Sequence, residues 1–245
     1  MKVSKFQRRF YRDWVRDKGL YITQIIAKET DIRITTNKPL EKKSAEERIR
    51  SYRWEIERYI QRDYRFLTAL RPLSVELNAA PIIKKMSDES KKANVGPMAT
   101  VSGAICEFLG FELLKKGYKD VIIENGGDIF LKSRKARLIG IYSGRSKIWE
   151  NLCLKIKPKD TPIGICTSSG TIGHSLSFGQ ADSVVILSKS TSLADAVATA
   201  TCNRINFKQD LQGALDFARK IKGVLGVVII LKNNLVSWGK VEFSK

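Results

Sequence analysis

Asp195 and Thr199 stand four residues apart in a stretch whose other residues are small and apolar. If this stretch is helical, both side chains lie on one face and present two hard oxygen atoms together. Mg²⁺ prefers such ligands, takes few of them from the protein, and leaves positions for phosphate oxygens. The pair is therefore a candidate magnesium site. The alternative is that Asp195 caps its own helix near Ser192.

A second stretch, residues 95–104, combines two glycines with small residues at the start of a predicted helix. Gly96 and Gly103 would let a ligand or another backbone approach closely, and Ser102 stands beside the second glycine. Free N–H groups at a helix start attract anions. These three residues are candidate ligand contacts, although tight packing of the helix is the favoured explanation when the stretch is taken alone.

The third stretch is a glycine pair between two polar residues, Asn125-Gly126-Gly127-Asp128. Asn-Gly is the strongest short signal for a β-hairpin turn, and locally this favours a purely structural interpretation. Paired glycines also let backbone amides meet a flat ligand. In that case Gly126 and Gly127 line the ligand, and Asn125 and Asp128 are its polar contacts.

The fourth stretch places hydroxyls and glycines after a predicted strand and ends at the only histidine of the chain, His174. Such a loop can form a nest of N–H groups that binds phosphate, and no Gly-Lys-Ser/Thr follows to make it a Walker loop. His174 is a candidate phosphate or substrate contact, the alternative being an ordinary polar loop residue. The other candidate contacts of this loop are Thr167, Ser168, Ser169, Gly170 and Thr171.

Hydrophobic periodicity and turn signals predict the elements that must position these stretches. A Ser44–Glu47 capping box predicts a helix that continues to about residue 70. Further helices are predicted within 82–116 and 193–221, each range in two pieces. Predicted strands cover residues 20–26, 31–36, 121–123, 129–132, 138–142, 152–156, 163–167, 184–187, 224–231 and 235–241.

The order of these elements predicts an α+β fold with mostly antiparallel strands. The chain has no clear repeat, low-complexity segment or Pro/Gly-rich linker. We therefore expect its 245 residues to form one domain, 1–245, with 1–120 and 121–245 as the sub-units if it divides.

The chain is strongly basic, with 44 Lys and Arg against 25 Asp and Glu and a net charge of +19. Such a charge attracts nucleic acid, a lipid surface or a phosphorylated small molecule without choosing among them. Nearly half of the excess lies in residues 1–75, which hold 19 basic and 10 acidic side chains. The predicted helix in this part mixes both signs, which is typical of a solvated face.

Four scattered cysteines, without a Cys-x-x-Cys motif and with a single histidine, lack the ligand spacing of a structural zinc site. They are typical of reduced core residues, so we expect a cytoplasmic protein. The basic start has no apolar segment behind it and predicts no signal peptide. The longest apolar run, Gly223 to Leu231, is too short to cross a membrane.

Taken in the order of the chain, residues 95–104, then 125–128, then 167–174, then the Asp195 stretch, the four stretches resemble the ApbE family, whose members are Mg²⁺-dependent flavin transferases. They cleave FAD and attach FMN to a Thr or Ser of another protein. Val95-Gly-Pro-Met-Ala, Glu124-Asn-Gly-Gly-Asp-Ile and Cys166-Thr-Ser-Ser-Gly-Thr-Ile-Gly-His resemble more closely a shorter, functionally unassigned branch of ApbE-like proteins. The branch resemblance spans nearly the whole chain, and the transferase resemblance covers residues 95–203.

The resemblance implies tandem antiparallel-sheet units, T-fold-like and backed by helices, and a homodimer. It also implies FAD as substrate or ligand, together with Mg²⁺. Asp195 and Thr199 match the metal ligands of the family, and a backbone carbonyl near Ala99 or Ser102 would be a third. Residues 125–128 match the turn on the flavin side.

By the same resemblance, Asp195 and His174 are the catalytic residues. His174 matches the histidine that opens the family segment His-x-x-Asp-Pro-x-Thr-Gly. Here the segment is shortened, and Leu176-Ser-Phe-Gly-Gln stands in place of Asp-Pro-x-Thr-Gly.

Three functions remain open from the sequence. The first is a flavin transferase that acts on an acceptor protein. The second is a non-catalytic binder of FAD, FMN or a related nucleotide, which fits the altered segment after His174. The third is a nucleic-acid-binding protein; it rests only on charge and ranks last.

Overall fold

The computed structural model describes residues 19–141, 146–171 and 179–244. The protein is built on one eight-stranded sheet in the order β1-β2-β3-β4-β7-β8-β9-β10, and a three-stranded sheet in the order β11-β6-β5. All strand pairs in this part of the chain are antiparallel. The predicted α+β class with antiparallel sheets is therefore confirmed.

The strands are β1 Tyr21–Ala27, β2 Thr30–Thr36, β3 Val121–Asn125, β4 Asp128–Lys132, β5 Arg137–Gly140, β6 Cys153–Ile156, β7 Ile163–Ser168, β8 Ser183–Ser188, β9 Val224–Leu231, β10 Asn234–Gly239 and β11 Phe243–Ser244. The helices are α1 Lys42–Arg62, α2 Arg65–Thr68, α3 Pro81–Ala93, α4 Val101–Lys115, α5 Thr191–Cys202 and α6 Asp210–Lys220. A short 3-10 turn, Pro97–Thr100, leads directly into α4.

The large sheet contains the same arrangement twice. In its first half, the hairpin β1–β2 is joined to the hairpin β3–β4 through α1 to α4. In its second half, β7–β8 is joined to β9–β10 through α5 and α6. The two halves meet where β4 pairs with β7. Each half is thus two hairpins with helices between them, as tandem units require.

Apolar side chains cover both faces of the central strands of this sheet. On one face, α1, α3 and α4 pack over the first half and α5 and α6 over the second. On the other face, residues of the three-stranded sheet pack against β4, β7, β8 and β9. Because both faces are buried, the central strands are apolar almost throughout: β8 and β9 contain mainly Val, Ile and Leu.

The first predicted helix begins and ends differently from the prediction. Its first backbone hydrogen bond runs from the Ala45 N–H to the Glu41 carbonyl, so Ser44 already lies inside the helix and cannot cap it. The helix also stops at Arg62 instead of continuing to residue 70. Asp63 takes an extended conformation, and its carboxylate accepts the Arg65 N–H of the next short helix.

Within the described residues, one helical stretch, Pro97–Lys115, is long and apolar enough to cross a membrane by length and composition alone. This stretch packs on β3 and β4 and against α5, and more than half of it is buried in the protein. A buried core helix meets the same criteria, so the finding is weak evidence for a membrane segment.

Gly110 of α4 allows the helix to lie close to the sheet. A Cβ there would overlap the ring of Phe130, which is fully buried and packs edge-to-face on Phe111. We expect Gly110→Ala to lower the free energy of unfolding by about 1–3 kcal/mol, because the ring must move within a close-packed core.

Urea denaturation measures this effect. Gly213→Ala is the matched control, since Gly213 is also helical but a methyl group added there would have no described atom within 4 Å. That change should stabilise the protein slightly through helix propensity. Equal effects of the two substitutions would contradict the packing explanation.

Candidate functional site

The Asn125–Asp128 turn is the predicted hairpin, since Asn125 and Asp128 pair directly across β3 and β4. Gly126 and Gly127 have φ angles of +67° and +101°, which a two-residue hairpin turn of this kind requires and glycine adopts without strain. A Cβ at Gly126 would approach only the Ser102 Oγ, at 4.0 Å, and one at Gly127 would meet the Thr167 carbonyl at 3.6 Å. The turn therefore lies between the first turn of α4 and the end of β7.

Gly103 brings α4 and α5 into close contact. A Cβ at this position would stand 2.6 Å from the Thr191 carbonyl oxygen and 2.8 Å from the Asp195 Cβ. The Gly103 N–H donates to Asp195 Oδ2 at 2.9 Å. Tight packing, one of the two alternatives for Gly103, is therefore observed, and the role of this residue as a ligand contact stays a prediction.

Asp195 does not cap its own helix. Ser190 is the N-cap of α5, and its hydroxyl accepts the Leu193 N–H at 3.2 Å. Asp195 lies in the second turn and bonds to a neighbouring helix instead. The capping alternative is therefore wrong, and the carboxylate needs another explanation.

Asp128, which is buried, and Asp195, which is partly exposed, form a pair of interacting carboxylates. Burial raises the pKa of Asp195 to about 7, against the Gly103 N–H, which lowers it. Burial and then the charge of Asp195 raise the pKa of Asp128 well above its ordinary value, although the Cys166 thiol and the Thr167 N–H donate to its carboxylate. Neither carboxylate forms an ion pair with Lys or Arg in the described parts of the chain.

Two buried thiols, which the sequence interpretation assigned only to the core, line this pair. The Cys106 Sγ donates to the Asp128 carbonyl at 3.6 Å, and the single proton of the Cys166 thiol has two acceptors within reach, the Thr191 carbonyl at 3.3 Å and the Asp128 carboxylate. Burial and then the neighbouring carboxylates raise the pKa of both thiols, so they remain protonated. The sequence could have indicated this place near the site, since Cys106 is three residues beyond Gly103 and Cys166 directly precedes Thr167.

Glu107 fixes the start of α5, and sequence reasoning missed it entirely. Its Oε2 accepts the Ser192 N–H at 2.8 Å and the hydroxyls of Ser192 and Ser190 at 2.9 and 3.0 Å. Its Oε1 meets the Lys85 ammonium at 3.0 Å, and Lys85 reaches Glu89 at the same distance. This buried network ties α3, α4 and α5 together and thereby sets where Asp195 stands.

The predicted phosphate loop is only partly described. Ser168 shares the helix-facing side of β7 with Cys166, and its buried Oγ has no hydrogen-bond partner among the described residues. The hydroxyls of Ser169 and Thr171 lie 3.2 Å apart. Gly170 packs tightly against the Gly179 backbone. His174 lies outside the described residues, so its predicted role stays a prediction.

Two further candidates differ in position. Thr199 lies one turn beyond Asp195 on α5 and, like it, is partly exposed. Gly96 instead lies before α4, where the Ala69 carbonyl occupies the space that a Cβ would need. Close backbone packing is sufficient to explain this glycine.

In the described parts of the chain, no three His, Cys, Asp or Glu side chains form a group that could hold a metal ion. A cation here would depend on Asp195, the Thr199 hydroxyl, backbone oxygens and the oxygens of its ligand. This set is small but suits Mg²⁺, which uses one or two carboxylates and substrate phosphates. The two carboxylates without a basic partner also fit a site that receives a cation.

Comparisons with known proteins show the family of the chain and its fold. A family model described as "AbpE bacteria" matches residues 12–242. A UPF0280 protein of Methanocaldococcus jannaschii is 41% identical over 223 residues, which cover 89% of this chain and 90% of the relative. The chain belongs to the UPF0280 family. A relative from Methanosarcina acetivorans is 37% identical over 87% of this chain and 85% of its own length.

The fold is that of ApbE proteins. The apo flavinyl transferase ApbE of Pseudomonas stutzeri superposes with a TM-score of 0.60 over 90% of this chain and 94% of that chain, at 12% identity. The flavin transferase ApbE of Vibrio cholerae gives a TM-score of 0.56 over 89% and 96%, at 13% identity. At such identities the likeness establishes the fold, and activity must be argued from the site.

The raised pKa of Asp195 has a measurable consequence for stability. Since its folded pKa of about 7 lies above the ordinary value of 3.8, the folded protein holds a proton that the unfolded chain releases. Stability is therefore lost as pH rises from about 4 to 7. Asp195→Asn keeps an acceptor for the Gly103 N–H and removes the charge. In EDTA its stability relative to the parent should therefore increase by about 2–3 kcal/mol between pH 5 and pH 8.

Thermal unfolding at the two pH values tests this. Asp88→Asn is the control, because Asp88 is exposed and makes only a long contact with Lys91 on its own helix. A stability difference for Asp195→Asn that is independent of pH would contradict the raised pKa of Asp195.

Proposed function

We propose that the protein binds FAD together with Mg²⁺ at the cluster around Asp195 and transfers FMN to a hydroxyl of another protein. In this reaction the acceptor oxygen forms a bond to the flavin-side phosphorus of FAD. The pyrophosphate bond breaks, AMP leaves, and the hydroxyl proton passes to a base. The observation that carries the proposal is the pair Asp195 and Asp128, two interacting carboxyl groups that meet no basic side chain among the described residues.

The donor set supports a cation with a phosphate ligand. Asp195 and the Thr199 hydroxyl would hold Mg²⁺, which neutralises phosphate charge as AMP departs. The Gly103 N–H keeps one oxygen of Asp195 in place, at 2.9 Å. Ser102 and the buried Ser168 Oγ supply hydroxyls near the same cluster.

The turn supports a flat ligand on one side of this cluster. Gly126 and Gly127 present backbone without side chains, and the nearest described atoms to a Cβ at either position lie 3.6 Å or more away. A planar ring could therefore approach the turn without displacing protein atoms. Asn125 and Asp128 flank this surface as polar contacts.

A second candidate function is non-catalytic binding of FAD, FMN or a related nucleotide. Two observations favour it. Leu176-Ser-Phe-Gly-Gln replaces the Asp-Pro-x-Thr-Gly segment that the resemblance would require. The described residues also offer no third acidic or histidine ligand for the cation. Both functions share the binding step, so an experiment must separate binding from cleavage.

Binding is tested by titrating FAD into the protein with Mg²⁺ or EDTA and measuring flavin fluorescence. We expect Mg²⁺-dependent binding that Asp195→Ala and Thr199→Val weaken by about tenfold or more, since each removes a metal ligand. Thr201→Val is a matched control, because Thr201 lies on the same helix with a buried hydroxyl that has no described partner. Absence of FAD binding in the parent protein would overturn both functions.

Cleavage is tested by measuring AMP release from FAD under the same conditions, with a hydroxyl-bearing acceptor protein present. Mg²⁺-dependent AMP release that Asp195→Ala abolishes and Thr201→Val leaves unchanged supports the transferase. Binding without AMP release under all conditions supports the non-catalytic binder instead.

A further inference from the structure

A second cavity lies beside α6, in contact with α5 but apart from the Asp195 cluster. Its volume is about 1020 Å³, at the upper end of the range for small-molecule sites. The end of α3 forms one wall, the start of α5 a second, and α6 with the loop to β9 a third. Leu193, Phe217 and Ile221 give it an apolar surface.

One face of α6 is directed toward this cavity. Gly213, Asp216, Phe217 and Lys220 line it and recur at the spacing of a single helical face. The opposite face of α6 contributes Leu211, Ala214, Leu215 and Ala218 to the core. Gly213 is the one of these four α6 residues that has no side chain.

Gly213 has no structural reason to be glycine. Its φ angle is not positive, and a Cβ there would have no described atom within 4 Å. The other helical glycines differ, because Gly103 and Gly110 lie directly against a neighbouring element. A glycine inside a helix weakens it. Here the glycine leaves the space beside it open, since no side chain projects from position 213 into the cavity.

The charge at the rim is positive. Each acid that lines the cavity already has a basic partner: Glu89 pairs with Lys85 and Lys92, and Asp216 with Arg219. Lys220 and Lys222 also line it, and neither forms an ion pair within the described parts of the chain. Two ammonium groups next to an apolar surface suit a ligand that is anionic at one end and apolar at the other.

We propose that this cavity is a second binding site, for a small phosphate ester with an aromatic or aliphatic body. Lys220 and Lys222 meet the phosphate, since lysine binds phosphate as a point charge. Phe217, Leu193 and Ile221 contact the apolar body, and Gly213 leaves room for it. The proposal does not rest on the proposed flavin function, because none of the residues it uses belongs to the Asp195 cluster.

The test uses 1-naphthyl phosphate as the probe and the full chain with Asp195→Ala in EDTA, so that the first site is disabled. Fluorescence titration should show saturable binding at one site. Gly213→Leu should weaken this binding by about tenfold or more because its side chain fills the cavity, without lowering Tm. Gly213→Ala should keep binding within about twofold and raise Tm by about 2–4 °C.

Charge is tested with a pair of double variants. Lys220→Ala with Lys222→Ala should weaken the probe by about tenfold or more. Lys42→Ala with Lys43→Ala, on the exposed first turn of α1, should leave it within about twofold. Equal binding of 1-naphthol and its phosphate, or undiminished binding by Gly213→Leu, would overturn the proposal.

Discussion

The close approach of α4 and α5 is the constraint on which the candidate site depends. Two contacts hold it: Glu107 binds the first turn of α5, and Gly103 leaves no side chain between the helices. Asp195 lies one turn beyond the first contact and directly against the second. Any side chain at position 103 would separate the helices and move Asp195 away from Asp128.

This constraint also explains why a costly arrangement of charge persists. Two carboxylates that face each other in a poorly solvated place destabilise the folded state, and only neutral donors reach them among the described residues. Proteins retain such an arrangement where a cation or proton is bound during function. The same two carboxylates thus lower the stability of the free protein and raise the affinity of the site for a cation.

Local signals in the sequence predicted much of the fold and part of the site. The glycine pair at 126–127 predicted its hairpin, because an Asn-Gly turn depends on residues that are adjacent in the chain. The spacing of Asp195 and Thr199 predicted a shared helix for the same reason. The antiparallel class was predicted from the order of the elements, whereas the strand order of the large sheet was not, because short turns join only three of its seven neighbouring pairs, β1–β2, β3–β4 and β9–β10.

Contacts between distant residues could not be predicted in this way. Glu107 meets residues 83 to 85 positions away, and an isolated glutamate in a helix carries no sign of such a partner. At Ser44 a local signal was misleading. Its spacing to Glu47 is that of a capping box, but the helix begins earlier, at Lys42, so Ser44 lies inside it. Cys106 and Cys166 were correctly expected to be buried, yet Cys106 reaches Asp128 through the packing of α4 on β4, and Cys166 through the pairing of β4 with β7.

That pairing has one more consequence. Only three residue pairs join β4 to β7, whereas seven join β1 to β2. Asp128 belongs to the first half of the sheet and Asp195 to the second, so each half brings one carboxylate to the seam. A small rotation about the seam would therefore change the distance between the two carboxylates, and with it their pKa values and the affinity of Asp195 for a cation. By reciprocity, whatever sets that angle also regulates the site.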